Sequence, residues 1–226
     1  MILKSYVKRT GHFTDAQKKA YDSLSSFFLI PFSENNLDLK EIFANGNESS
    51  PVQFDITAEI GFGSGFTAAE IAQANPDKKY IGIEVHRPGI GKLLWEIEKR
   101  KLSNIRIIEH DAVFVFEKMI PKESLCGIHI FFPDPWPKKR HRKRRLVTRP
   151  FTQYLCGCLK KGGYFYMVTD WEDYALHALG ELESTEGLKN AYNDFAPVQE
   201  WRPRTGFERK GLEKGHIIRE LFFNKI

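Results

Sequence analysis

The fold is decided by one short stretch, Phe54-Asp-Ile-Thr-Ala-Glu59-Ile-Gly61-Phe-Gly63-Ser-Gly65. Its first half, Phe54–Ile60, is typical of a buried strand. Three glycines follow at every second position, and a helical pattern continues through Asn75. Lys79–Val85 predicts the next strand. Glycines between a strand and a helix let the backbone pass close to a ligand, so this stretch predicts an α/β unit with a binding turn.

The alternation of strands and helices continues along the chain. Further strands are predicted over Ile105–Glu109, Cys126–Phe132, Tyr164–Thr169 and His216–Asn224, and helices over 90–102, after Asp111, and over 149–159 and 171–184. Upstream, the capping-box pattern Thr14-x-x-Gln17 predicts a helix over Asp15–Phe28, and residues 45–51 predict a surface loop. We expect a Rossmann-like α/β fold whose mostly parallel sheet has about seven strands, with helices on both faces. Residues 1–50 are expected to add an arm and a helix to the domain built by residues 51–226.

Composition excludes several classes of protein. No apolar run in the 226 residues approaches the length of a membrane span, and the first residues lack the apolar centre of a signal peptide. Three cysteines, two of them only two residues apart, suit neither a disulfide framework nor a zinc site. We therefore expect a cytoplasmic protein with reduced thiols and no metal.

Positive charge is concentrated in one segment. Seven of the eight residues from Lys138 to Arg145 are Lys or Arg, which exceeds the net charge of +5 of the whole chain. A solvated charge run is the ordinary interpretation of such a segment. Here it lies between a predicted strand and a predicted helix, which favours contact with a polyanion such as RNA.

Two acidic residues follow the glycine turn at strand ends. Glu84 ends the second predicted strand, where a carboxylate can accept hydrogen bonds from ribose hydroxyls. Asp111 ends the third, where it could simply cap the following helix. Asp111-Ala112 also resembles a methyltransferase pattern, and this resemblance implies that the side chain holds an adenine amine. The dinucleotide fingerprint needs a third glycine at position 66, but Phe66 stands there, which disfavours an NAD-linked oxidoreductase.

The segment after the fourth strand, Pro133-Asp134-Pro135-Trp136-Pro137, is the most specific in the chain. Ligands of open α/β sheets bind beyond the carboxyl ends of the strands, so Asp134 is expected beside the ligand. Flanking prolines stiffen its loop, which suits a catalytic carboxylate. Trp136 is a candidate platform for stacking a base. The alternative is a proline-rich turn in which Trp136 closes an edge of the core.

These residues together resemble the bacterial tRNA (guanine-N7)-methyltransferase family of class I S-adenosylmethionine-dependent enzymes. The resemblance covers nearly the whole chain and rests on the segments 5–14, 59–65, 82–86, 132–145, 169–170 and 202–208. It implies methyl transfer from S-adenosylmethionine, without a metal, to N7 of a guanine in the tRNA variable loop. Independently of the resemblance, we expect a monomer or homodimer and predict no obligatory protein partner.

The resemblance also implies roles for individual residues. Asp134 would be catalytic; the donor would be held by Glu59, Gly61, Gly63, Glu84, Asp111 and Asp134. The substrate would be contacted by Lys138, Asp170, Thr205, Gly206, Phe207 and Glu208; RNA would be contacted by Arg140, His141, Arg142, Lys143, Arg144 and Arg145. Two alternatives keep the same fold. One is an RNA methyltransferase acting on an exocyclic base amine, since Asp134-Pro-Trp also resembles an Asp-Pro-Pro-Tyr motif; the other is a non-catalytic RNA-binding protein.

Overall fold

The computed structural model describes residues 5–6, 13–43 and 54–226. Its strands are β1 (Ile56–Ile60), β2 (Lys79–Glu84), β3 (Ile105–Glu109), β4 (Leu125–Phe131), β5 (Leu159–Thr169), β6 (Leu188–Asn190) and β7 (Arg219–Lys225). Its helices are α1 (Asp15–Phe28), α2 (Leu39–Phe43), α3 (Phe66–Ala74), α4 (Arg87–Arg100), α5 (Ala112–Lys118), α6 (Phe151–Cys158), α7 (Glu172–Glu183) and α8 (Gly206–Glu213), with a 3-10 helix over Lys139–Arg144. The loop predicted over 45–51 lies outside the described residues. Among the helices in the described ranges, none has the length and apolar composition needed to cross a membrane.

The strands form one sheet in the order β3-β2-β1-β4-β5-β7-β6. Neighbouring strands from β3 to β5 run parallel, whereas β7 is antiparallel to both β5 and β6. The chain moves outward from β1 to β3 and then crosses back to place β4 beside β1. This reversal opens a crevice between β1 and β4 at their carboxyl ends, where ligands of such sheets bind.

Both faces of the sheet are covered, which confirms the predicted fold class. Alternate residues of β5 show this: Phe165 and Met167 join the apolar cluster under α5, α6 and α7. Tyr166 and Val168 join the cluster under α1, α3 and α4. Side chains of a strand alternate between its faces, so a central strand with both faces apolar must lie between two layers of helices.

Several boundaries differ from the sequence prediction, each for a local reason. Helix α4 begins at Arg87, before the predicted Ile90, because Pro88 fits its first turn. Strand β5 begins at Leu159 and includes the glycine pair predicted as a turn, near a register shift against β4. The short elements α2, β6 and the 3-10 helix, and the longer α8, were not predicted. The capping box of Thr14 and Gln17 is confirmed, and α1 spans the predicted Asp15–Phe28.

Helix α4 touches the glycine turn backbone to backbone. A Cβ atom on Gly89, in the first turn of α4, would lie 2.0 Å from the carbonyl oxygen of Gly63. That separation is far below van der Waals contact, so no larger residue fits without moving the turn. Because Gly89 has no side chain, the α4 backbone can pack directly against the Gly63 peptide, and this contact helps to fix the position of the turn.

We predict that Gly89→Ala destabilises the protein by about 1–3 kcal/mol, because the added methyl must push the Gly63 peptide or the helix away. Urea unfolding measures the change. Gly180→Ala in α7 is the matched control: a Cβ there meets nothing within 4 Å, and the change should stabilise by about 0.5–1 kcal/mol. Equal stability of the two variants would contradict the backbone contact.

Candidate active site

The glycine turn after β1 has a backbone that other residues rarely adopt. Gly61, Gly63 and Gly65 have φ angles of 74°, 59° and 70°. Side chains disfavour this left-handed region, so the sequence places glycine at each position. The turn then leads directly into α3, whose amide groups begin beside it.

Glu84 closes the turn from the neighbouring strand. One carboxylate oxygen, Oε2, accepts from the Gly63 amide at 2.9 Å, and Oε1 accepts from the amides of Val85 and His86 at 2.7 and 3.0 Å. Three backbone donors thus hold the carboxylate at the end of β2. Its oxygens have further lone pairs that can accept from a ligand's hydroxyl groups.

A cavity of about 250 Å³ opens where β1, β2 and β4 end. Gly61, Glu84 and Asp134, predicted from three separate segments, line it together. Phe207 also lines it, so the substrate block at 205–208 reaches the same place. Glu59, Gly63, Asp111, Lys138 and Asp170 are not among its lining residues. Ser5 and Tyr6 also line the cavity and were not predicted from the sequence. The one feature that could have indicated them was their place in the 5–14 segment of the family resemblance.

The loop that carries Asp134 has an unusual backbone at both ends. Phe132 and Trp136 have φ angles of 50° and 46°, a region that is unfavourable for large side chains. The Phe132 amide donates to the Val168 carbonyl at 2.8 Å, which anchors the start of the loop to β5. Asp134 is half-buried and faces the cavity that the strand ends form.

Trp136 is not the exposed platform predicted from the sequence. Its side chain is buried, and its indole Nε1 donates to the Ser5 carbonyl at 3.1 Å. The Arg144 guanidinium lies over the ring, 5.0 Å from its centroid. The indole therefore connects the loop to residue 5 and offers no open face for stacking a base.

The basic segment forms the 3-10 helix and its flanks, and its members differ in exposure. Lys138, Lys139, Arg140, Arg142 and Lys143 are exposed, and His141 and Arg144 are half-buried. Arg145 was predicted to contact RNA, but its side chain is only 1% exposed and is held by Asp173. Arg145 therefore differs from the exposed members of the segment, because its guanidinium is already enclosed and hydrogen-bonded; its contact with RNA stays a prediction.

The sequence of this chain matches those of known methyltransferases over most of its length. A family model described as "Putative methyltransferase" matches residues 53–221. Proteins called tRNA (guanine-N(7)-)-methyltransferase from Nitrosomonas eutropha and Nitrosomonas europaea are 52% and 50% identical to the chain, over 99% of it and 96% of their own lengths. The chain belongs to the tRNA (guanine-N7-)-methyltransferase family. A further relative with this description, from Nitrosospira multiformis, is 46% identical over 99% of the chain and 94% of its own length.

Solved structures support the fold of this family member. The 16S rRNA methyltransferase KamB superposes with a TM-score of 0.57 at 15% identity, with full coverage of both chains. An antibiotic-related methyltransferase gives 0.52 at 21% identity, over 77% of this chain and 88% of its own. At such identities the likeness concerns the fold alone. Among the residues that the structure describes, no group of His, Cys, Asp or Glu is arranged to hold a metal ion.

The family block at 202–208 is built around a buried arginine. Arg202 donates to both carboxylate oxygens of Glu208, at 2.6 and 3.1 Å, and to Glu220 of β7 at 2.9 Å. Thr205 caps α8 by accepting from the Glu208 amide at 3.0 Å, and Glu208 completes the capping box. Thr205 and Glu208 are thus buried and structural, whereas Gly206 and Phe207 are exposed. Substrate contact by this block remains a prediction.

Three other predicted residues, Asp111, Asp170 and Lys138, do not line the cavity. Asp111 caps α5, accepting from the Val113 amide at 3.0 Å through Oδ1, so the helix-cap interpretation is confirmed and contact with adenine stays a prediction. Asp170 pairs with His216 Nδ1 at 2.9 Å. Lys138 is exposed next to the Asp134 loop.

Glu59 is a buried acid beside another acid. Burial, together with the negative charge of Glu84, raises the pKa of the Glu59 carboxyl to about 8. The carboxyl is therefore largely protonated at neutral pH when no cation lies near it. Sequence analysis found the residue but not this protonation state, which depends on its three-dimensional surroundings.

We predict that Glu59 makes stability fall as pH rises. The pKa of Glu59 is higher in the folded chain than the ordinary 4.5. The contribution of Glu59 to the free energy of unfolding is therefore fully present below about pH 4.5 and is lost as pH rises through about 8. Glu59→Gln removes this dependence and should be more stable than the wild type at pH 9, by roughly a few kcal/mol. Urea unfolding at pH 5, 7 and 9 measures it. Glu98→Gln, exposed on α4, is the control and should follow the wild type; the same behaviour for Glu59→Gln would refute the shift.

Proposed function

We propose that this protein transfers a methyl group from S-adenosylmethionine to N7 of a guanine in the variable loop of tRNA. One observation carries the proposal: Asp134 lies on the same cavity as Gly61 of the glycine turn and Glu84, beside an exposed basic segment. Family membership supports the guanine-N7 chemistry, since the curated relatives are described as tRNA (guanine-N(7)-)-methyltransferases.

The residues present fit the donor. In this proposal Glu84 accepts hydrogen bonds from the ribose hydroxyls, and Asp111 uses its second carboxylate oxygen for the adenine amine. The glycine turn, with Gly61 and Gly63, lets the backbone approach without a side chain between. Glu59 and Asp134 supply negative charge that suits a ligand bearing a sulfonium cation and no phosphate. When bound, the donor supplies an already activated methyl electrophile.

The chemistry needs alignment more than proton transfer. Guanine N7 carries a lone pair and no proton at neutral pH, so no general base has to expose it. The chain must hold the acceptor in line with the methyl–sulfur bond at near-attack distance. Attack moves positive charge onto the purine, and the Asp134 carboxylate stabilises it while accepting from guanine N1–H or the 2-amino group.

The acceptor must also be reachable. The major groove of A-form RNA is too deep and narrow for side chains to enter, so the target base must lie in a loop or be swung out. Phe207 is 63% exposed and lines the cavity, so it provides the aromatic face that buried Trp136 does not. Lys138, Asp170 and the 205–208 block are assigned to the base, and the segment from Lys139 to Arg144 is assigned to the phosphates.

The direct test is methylation of an unmodified tRNA transcript, followed by nucleoside mass spectrometry. We expect 7-methylguanosine with the wild type and about a 100-fold lower turnover with Asp134→Asn, which keeps the shape but loses the charge. The control is Asp77→Asn, which changes an exposed acid just before β2, at the opposite end of the strands from the cavity. Methylation of an adenine or cytosine amine instead would favour the exocyclic-amine alternative. Lack of S-adenosylmethionine binding in calorimetry would favour the non-catalytic RNA-binding alternative.

Donor binding should also release a proton near pH 7. A cationic ligand placed near Glu59 favours its ionised form, and this carboxyl is largely protonated beforehand because its pKa is about 8. Calorimetry in buffers with different ionisation enthalpies measures the released proton. Glu59→Gln should abolish the release, whereas Glu98→Gln should leave it intact; release that persists in Glu59→Gln would remove Glu59 from the donor site.

A further inference from the structure

The last residue of the basic segment differs from its neighbours. The Arg145 side chain is 1% exposed, whereas that of Arg142, one 3-10 turn earlier, is 48% exposed. The Arg145 guanidinium lies over the Tyr174 ring, 4.9 Å from its centroid. Phosphates of a bound RNA can reach Arg142, but Arg145 is enclosed by protein.

Arg145 connects the Asp134 loop to the start of α7. Its Nε donates to the Pro135 carbonyl at 3.0 Å, and one Nη donates to the Asp173 carbonyl at 3.3 Å. Its other Nη pairs with the Asp173 carboxylate. A single planar group therefore links the residue next to Asp134 with a helix that packs on the sheet.

The loop depends on such outside donors because of its sequence. Pro133, Pro135 and Pro137 lack an N–H group, so the loop has few backbone donors of its own. The left-handed φ angles of Phe132 and Trp136 are also unfavourable unless surrounding contacts hold them. Pro135 follows Asp134 directly, so a donor fixed on the Pro135 carbonyl restricts how the neighbouring Asp134 can move.

Asp173 binds two arginines of the basic segment, Arg142 and Arg145, which differ in exposure. Its carboxylate also accepts from Arg142 at 3.0 Å. Arg142 is exposed and can exchange this partner for a phosphate, whereas the Arg145 side chain is only 1% exposed. Asp173 is itself about half exposed, so it would remain hydrated or paired with Arg142 if Arg145 were replaced.

We propose that Arg145 is a positioning residue, which holds the Pro135 carbonyl and thereby keeps the Asp134 carboxylate at the cavity, and that it makes no contact with RNA. The inference rests on the proposed function of Asp134. In this proposal the exposed residues of the basic segment determine tRNA affinity, whereas the buried Arg145 determines turnover. A loosened loop misplaces the carboxylate, and small displacements of a catalytic group can lower turnover by about 100-fold.

The test compares Arg145→Gln, Arg145→Lys and Arg142→Gln in steady-state methylation of a tRNA transcript at several salt concentrations. Arg145→Gln should lower kcat by about 10- to 100-fold, with KM for tRNA and its salt dependence close to wild type. Arg145→Lys should recover part of the turnover, because an ammonium can replace some but not all of the donors. Arg142→Gln should instead raise KM and reduce the salt slope by about one, with little change in kcat.

Melting temperature and donor affinity are measured for each variant. A raised KM with a reduced salt slope in Arg145→Gln would overturn the inference and make Arg145 a phosphate contact; an unchanged kcat would also overturn it. If Arg145→Gln does not fold, Arg145→Lys decides by the same criteria, and loss of folding in both would make the residue structural. A wild-type protein that forms no 7-methylguanosine would refute the proposed function, whereas an active wild type with normal Arg145 variants would refute only this inference.

Discussion

The loop after β4 is stiffened by prolines but has few backbone donors of its own, so the candidate site depends on the contacts that hold the loop in place. Three prolines remove backbone donors, and two large residues at its ends adopt left-handed φ angles. The loop is therefore fixed by groups outside it: the Val168 carbonyl on β5, the Arg145 guanidinium and the Ser5 carbonyl bonded to Trp136. Each of these comes from a different part of the chain, so the position of Asp134 requires nearly the whole fold.

The other constraint on the site is electrostatic. The carboxyl ends of β1 and β2 bring Glu59 and Glu84 close together, and the buried Glu59 responds by retaining its proton. A pocket built in this way disfavours anions such as a pyrophosphate and favours a cation. The basic segment lies next to it on the surface, so one end of the sheet carries an acidic interior site and a basic exterior. This separation suits a cationic cofactor and a polyanionic substrate that meet at the same edge.

Sequence reasoning found the elements whose signals are local. The capping box at Thr14 located α1, the alternation of strand-like and helical stretches located the strands, and the glycine turn located the cavity. The same capping-box signal stands at Thr205 and Glu208, but α8 was missed because the block was interpreted only as a substrate motif. Trp136 and Arg145 could not be placed from the sequence, because a run of prolines and cations does not show which side chains turn inward. Their burial follows from contacts with residues 131 and 28 positions away, respectively.

Strand β7 follows every other described strand in the chain, yet it lies inside the sheet between β5 and β6. During synthesis β6 emerges before the partner it pairs with, and it must wait until residues 219–225 leave the ribosome. Glu220, which completes the salt bridges of Arg202, arrives with the same strand. The salt bridges that hold the segment carrying Phe207 therefore stay incomplete until β7 has been synthesised, whereas every strand that borders the glycine turn precedes β7 in the chain.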